Sequence, residues 1–221
     1  MPNRKVVPLA ASRSARSGRT RAAHLGPERR RPLILDAALE VYVECGYRGT
    51  SMQAVADAAG VTKPVIYECY PNKDELLLAL LDREESRLMD AISESLPSNL
   101  VSDNVEAVLA AGLTAFLAGV GQAPNSWRVV FDSGSSSDSV VAARVRRVRD
   151  MVVGQLRELV RQSMVAAEIA DIDRKAPVVA ELIATVAESC ARMLVLEHYP
   201  WTAAELATYV ARLLARGIRP V

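Results

Sequence analysis

The stretch Gly60–Leu76, GVTKPVIYECYPNKDEL, decides the fold. It sets Pro64, Tyr67, Tyr70 and Lys73 around a small apolar group, with little length in which to bury it. Thr62 is a natural helix N-cap, and Pro64 is tolerated in a first turn because the N–H it lacks has no partner there. The spacing predicts a short helix that ends near Cys69. Asn72 and Glu75 then read as the cap and capping-box residues of a long helix carrying Leu76, Leu77, Leu80 and Leu81 towards Ser95.

Upstream, Ile34, Ala38, Val41, Tyr42 and Cys45 recur at intervals of three and four, which predicts a helix from about Glu28 to Cys45 with Gly46 at its C-cap. Thr50 and Gln53 stand as a capping box for a helix from about Ser51 to Ala59, which Gly60 ends. Three helices within about 42 residues, two of them too short to persist alone, must pack on one another. That is a helix-turn-helix preceded by a supporting helix. Counted from Met52, Val55 and Ala56 fall where the two helices cross, Gly60 at the turn, Val61 after it and Ile66 on the inward face. All five are small or apolar, as a close approach of helix axes requires.

The remaining composition agrees with an all-α chain. Half of the 221 residues are apolar, enough for a sizeable core. Helix formers dominate, and no segment alternates as a half-buried strand does. Charges interrupt the apolar segments below the roughly 18 residues of a bilayer span, so no membrane role is expected. Cys45, Cys69 and Cys190 are odd in number and lack CxxC spacing, which argues against a disulfide framework and a zinc site; a reducing, cytoplasmic setting is expected. The net charge of +1 is unevenly spread: residues 1–31 carry nine cations against Glu28 alone, leaving −7 on the rest. Residues 1–27 lack helical periodicity and read as a disordered basic arm. It fits a phosphate-binding arm, an inert solvated tail or, through its arginines and lack of acids, a targeting segment.

Beyond Pro97, longer helices are predicted at about 103–119, 124–132, 138–168, 175–198 and 202–216, with the serine-rich loop DSGSSSDS at 132–139. The last two carry broad apolar stripes, at Val179, Leu182, Ile183, Val186, Cys190, Met193 and Leu194, and at Leu206, Val210, Leu213 and Leu214. Stripes this wide exceed one monomer's core and suggest a homodimer through this helix pair. The chain thus divides into the arm (1–27), a helix-turn-helix domain (28–75) and a helical domain (76–221).

The run ILDAALEVYVECGYRGTSMQAVADAAGVTKPVIYECYPNKDELLLALL resembles the N-terminal domain of the TetR family of transcriptional regulators. The shared pattern is a helix ending in Gly-Tyr, a Thr-Ser step, an Ala-Gly-Val turn and a Tyr-x-x-Tyr-x-x-Lys-x-x-Leu run. Tyr42 and Tyr70 stand where the family more often has Phe, and Cys69 where it often has His. The resemblance covers a fifth of the chain. It implies an all-α protein with an N-terminal three-helix DNA-binding domain and a larger C-terminal domain for ligand binding and dimerisation.

It also implies contacts. A short helix with an open N-terminus enters a major groove, so Thr62, Lys63, Pro64 and Val65 reach base edges: Lys63 donates to guanine, and Pro64 and Val65 touch thymine methyls. Tyr67 and Lys73 would contact phosphates, as would Thr50 and Ser51 at the preceding helix start. Plain capping fits Thr50 and Thr62 as well, core packing fits Tyr67, and a solvated charge fits either lysine.

For an organic effector the candidate residues are Phe116, Trp127, Phe131, Met151, Met164, Met193 and His198, since apolar pockets with few polar groups suit such ligands; each also fits a plain core role. Enzyme chemistry finds no constellation: the histidines are His24 and His198, and HxxxH, GxSxG, Walker and GxGxxG patterns are missing. Neither a metal nor a cofactor is expected. Two functions fit: a homodimeric repressor on a palindromic double-stranded DNA operator, released by a small apolar or amphipathic effector, or an effector-independent, sequence-tolerant DNA binder.

Overall fold

The computed structural model describes residues 26–95, 104–131, 140–197 and 199–217; residues 1–25 of the basic arm, the serine-rich loop and His198 lie outside them. Among the described residues there are nine helices and no strand. They are α1 (Pro27–Gly49), α2 (Met52–Ala59), α3 (Lys63–Cys69), α4 (Lys73–Ser95), α5 (Val105–Gln122), α6 (Pro124–Phe131), α7 (Val140–Ala166), α8 (Ile172–Val195) and α9 (Ala203–Gly217). The chain forms two compact units that divide after Leu80, within α4.

In the first unit α1, α2 and α3 pack on one another. Ile34, Ala38, Val55, Ala56, Ile66, Leu76 and Leu80 are almost wholly buried in it. Two glycines make the turns. Gly46 (φ 68°) kinks α1 before its last three residues, and Gly60 (φ 66°, ψ 32°) takes the left-handed conformation that closes α2, its N–H returning to the Ala56 and Asp57 carbonyls. One detail departs from the sequence reading. Ser51, not Thr50, caps α2, its Oγ accepting from Ala54 N at 3.1 Å. Thr50 is buried one residue earlier, with its hydroxyl donating to the Gly46 carbonyl at 2.8 Å, and Gln53 bonds Asp57 rather than reaching back. Asn72 does cap α4, accepting from Glu75 N at 2.9 Å.

The second unit is built along α5, against which α6, α8 and α9 pack, while α7 pairs with α8. Glu106 is the single charge in α5, and its mean hydropathy of 1.5 over 18 residues gives it the length and composition of a membrane span, contrary to the sequence reading. Its Leu113, Ala115, Leu117 and Val120 are buried against its neighbours. Close approach is enforced at Gly119, where a Cβ would stand 2.6 Å from Ile92 Cα on α4. The inner face of α8 is made of Ala176, Ala180, Ala184 and Ala191, small residues that let it lie tightly on α7 and α5. Arg149 of α7 fastens that pair, donating to Glu181 at 2.6 Å and Glu188 at 2.9 Å. Burial nonetheless pushes the Glu188 carboxyl above its ordinary pKa. A reciprocal capping box starts α9: Glu205 accepts from Thr202 N at 2.9 Å, and Thr202 Oγ1 accepts from Glu205 N at 3.2 Å.

Candidate nucleic-acid interface and effector site

The first turn of α3 stands open. Thr62 is at the N-cap position with extended backbone and makes no side-chain cap bond, so its hydroxyl is not spent on the helix. Thr62, Lys63 and Pro64 are exposed and Val65 is half-buried, whereas Ile66 and Cys69, on the opposite face, are buried. Seven residues therefore suffice: two anchor the helix and its start points outward. Lys63 Nζ lies 5.9 Å from the centre of the Tyr67 ring, and Tyr67 is 44% exposed, which removes the core reading for it. The lysine and tyrosine share one surface, with the ammonium over the ring face.

The other expected contacts divide. Ser51 is exposed, but the Thr50 hydroxyl is fully enclosed. Lys73 is half-buried and directed inward: Nζ donates to the Tyr47 carbonyl at 2.7 Å and sits 4.5 Å from the centre of the Tyr47 ring. Burial lowers its pKa, opposed by the Asp74 charge. It ties the turn after Gly46 to the start of α4.

Sequence reasoning missed the residues that fix the far end of α3. Arg30 of α1 pairs with Glu68 at 2.8 Å, and the Arg31 guanidinium lies 5.8 Å from the Tyr70 ring centre. Cys69, which has no evident task in the sequence, is buried with Sγ 3.9 Å from the Pro27 carbonyl; burial raises its thiol pKa. The three cations Arg29, Arg30 and Arg31 lie at the start of α1, where the sequence reading placed the beginning of this helix.

In the second unit, Trp127 and Phe131 of α6 stack at 5.8 Å between centroids and 22° between planes. Phe116 and Met193 are half-buried, Met164 is buried, and Met151 is 55% exposed. An open cleft of about 490 Å³ at the α7–α8 turn is lined by Arg161, Ile169, Asp171, Ile172, Asp173 and Arg174, and by none of the expected effector residues.

Ser126, the residue before Trp127, bonds a group the sequence reading overlooked. Glu84 of α4 is wholly buried, and accepts from Ser126 Oγ at 2.6 Å, Arg83 Nε at 2.7 Å and Arg87 at 3.2 Å. Two cations and a hydroxyl offset the desolvation of its charge. The signal was present: Leu77, Leu81, Glu84 and Leu88 fall at helical spacing on one stripe, so a carboxylate occupies a core position. Next to it, Arg144 of α7 bridges Asp82 at 3.2 Å and Glu85 at 3.0 Å.

Comparison with known proteins gives the same picture. Residues 34–80 match the family model of bacterial regulatory proteins, tetR family. The HTH-type transcriptional activator FasR of Mycolicibacterium smegmatis is 34% identical over 129 residues, 58% of each chain. The HTH-type transcriptional repressor KstR of Mycobacterium tuberculosis is 42% identical over 59 residues, 27% of each. The chain thus spans about three-fifths of FasR and a quarter of KstR. A TetR-like transcriptional regulator from Rhodococcus sp. RHA1 superposes with a TM-score of 0.70 at 25% identity, covering 90% of this chain and all of that one. FadR of Bacillus subtilis, solved with stearoyl-CoA, shares the fold at a TM-score of 0.66 and 19% identity, over 85% of this chain and 99% of its own. Residues 34–80, the helices that hold the open α3 turn, thus match the tetR family of bacterial regulatory proteins, and the fold along nearly the whole chain is shared with a TetR-like transcriptional regulator.

Proposed function

We propose that this protein is a transcriptional repressor that binds a palindromic operator as a homodimer and is released by a small apolar or amphipathic effector. The observation that carries it is the first turn of α3: Thr62, Lys63 and Pro64 face solvent while Ile66 and Cys69 hold the helix from behind. Lys63, Pro64 and Val65 read base edges with Thr62, and Ser51 and Tyr67 contact phosphates. Lys73 adds its field to that surface while its ammonium holds the Tyr47 carbonyl, and Thr50 acts by shaping the turn rather than by touching DNA. The residues up to about 75 form the DNA-binding domain and the remainder the effector and dimer domain.

The relatives carry both signs of regulation in their names, FasR an activator and KstR a repressor. FadR was solved with an acyl-CoA. Together with the stacked aromatic pair on α6, these support an acyl-type effector for this chain. For the dimer, Val178 and Leu182 on α8 and Tyr209 and Leu213 on α9 are each about half exposed and spaced one helical turn apart. A second copy seated on helices 175–198 and 202–216 covers them, and the palindromic operator of such a dimer offers half-sites about 34–36 Å apart. The charge substitutions Leu182→Glu and Leu213→Glu should yield monomers in sedimentation; a persistent dimer would move the interface elsewhere, with Met151 and Leu159 of α7 the next exposed apolar face.

The deciding experiment is binding to DNA from the protein's own promoter region. Tight, sequence-dependent binding to a palindrome, weakened by an acyl ligand, is expected. Affinity indifferent to sequence supports the effector-independent binder instead and ends the repressor reading.

A further inference from the structure

Two buried side-chain polar atoms among the described residues have no hydrogen-bond partner: Glu85 Oε2 and Trp127 Nε1. The first lies 3.0 Å from the Arg144 guanidinium, so its charge is met. Trp127 has no such substitute. Its side chain is 3% exposed, in the middle of α6, with Val129 and Val130 buried beside it and Phe131 stacked on its ring. Its neighbour Ser126 already spends its hydroxyl on Glu84. Native proteins leave few buried donors unpaired, because the lost hydration is not replaced. A donor left so, amid aromatic and aliphatic side chains, has the polarity that orients an apolar ligand, one polar group among apolar neighbours.

We propose that Trp127 Nε1–H is the hydrogen-bond donor to the effector, and that its acceptor is a neutral carbonyl, as in an ester, thioester or ketone at the end of an apolar chain. This rests on the effector reading above and sharpens it. One neutral N–H does not offset the desolvation of an ionised carboxylate. The cations next along, Arg83 and Arg87, are engaged by Glu84, and Arg144 by Asp82 and Glu85. A free fatty acid would have to displace one of these pairs to gain a counter-charge, whereas a carbonyl needs only the donor that is present.

The test uses the whole protein labelled with ¹⁵N in tryptophan. Trp127 and Trp201 give two indole resonances, which Trp127→Phe assigns. Methyl laurate, laurate and dodecane serve as probes. Methyl laurate should shift the Trp127 indole proton downfield and leave Trp201 unmoved, and Trp127→Phe should weaken methyl laurate by about tenfold while leaving dodecane unchanged. The spectrum of the unsubstituted protein decides the matter even where the variant folds poorly. Ester binding with an unmoved Trp127 resonance, an equal loss for all three probes, or tighter binding of laurate through Trp127 would overturn the donor assignment and leave the effector reading standing. Failure of every probe to bind overturns both.

Discussion

Replacing Ser126 with Ala tests how the second unit tolerates its buried carboxylate. Glu84 Oε1 is held by Arg83 at 2.7 Å and Arg87 at 3.2 Å, while Oε2 receives the Ser126 hydroxyl at 2.6 Å. Ser126→Ala takes that donor away and leaves a wholly enclosed charge short of one bond. Hydrogen bonds to charged groups contribute about 1.5–3 kcal/mol, so a loss near 2 kcal/mol is expected. With a urea slope of about 1–3 kcal/mol per molar, the midpoint should fall by roughly 1 M. Tryptophan fluorescence is the suitable assay, because Trp127 and Trp201 both lie in the unit from Leu81 onward and follow its unfolding alone. A second background separates the bond from the small void that Ala leaves. In Glu84→Leu protein the same Ser126→Ala change should shift the midpoint by under about 0.3 M, since no charge remains to be stranded. Equal losses in both backgrounds, or no loss in the first, would refute the assignment of Ser126 as a partner of a buried charge.

Further outcomes follow from the same geometry. Gly119→Ala should destabilise the second unit by about 1–3 kcal/mol, because the new Cβ meets the Ile92 backbone at 2.6 Å rather than a side chain that can yield; calorimetry checks it. Lys63→Ala should relax base preference with little change in the salt dependence of DNA binding. Lys73→Ala should weaken all sites alike, with a change in salt slope well below the one unit of a direct phosphate contact because its ammonium is turned onto the Tyr47 carbonyl; the melting temperature should fall too, and an unchanged one would show that this bond contributes nothing. At the start of α9, bonds from Thr202 hold the Glu205 pKa below the ordinary carboxylate value. The stabilisation is therefore present above the unfolded value of about 4.3 and is lost as pH falls through the folded one. Glu205→Gln should lower thermal stability at neutral pH, with the difference from the parent vanishing in acid.

The first unit was legible because its information is local. Caps, turn glycines and the apolar spacing from Ile34 to Ile66 are read within a few residues of one another, and the helix bounds follow closely. The misassigned cap shows the limit of that reading. Thr50 and Ser51 both carry hydroxyls, and only the burial of Thr50 against Gly46 decides which one serves α2. In the second unit the helices were readable but their partners were not. Nothing local tells that α9 lies along α5, or that α8 presents alanines to α7 and keeps Leu182 outside. The same holds for Lys73, whose acceptor is 26 residues away.

Glu84 is the instructive case, because its position on a leucine stripe breaks the local rule in plain view. A charge there is either paired or excluded, and the structure pairs it with groups from α4 and α6 together. The residue next to its α6 partner carries the indole whose N–H lacks a hydrogen-bond partner. The two departures meet at neighbouring residues of α6, where core stability alone accounts for neither. Of the two, the ion cluster is self-contained; the indole N–H is unpaired, so on the proposed effector reading it is the indole, not the carboxylate, that bears on the effector's chemistry.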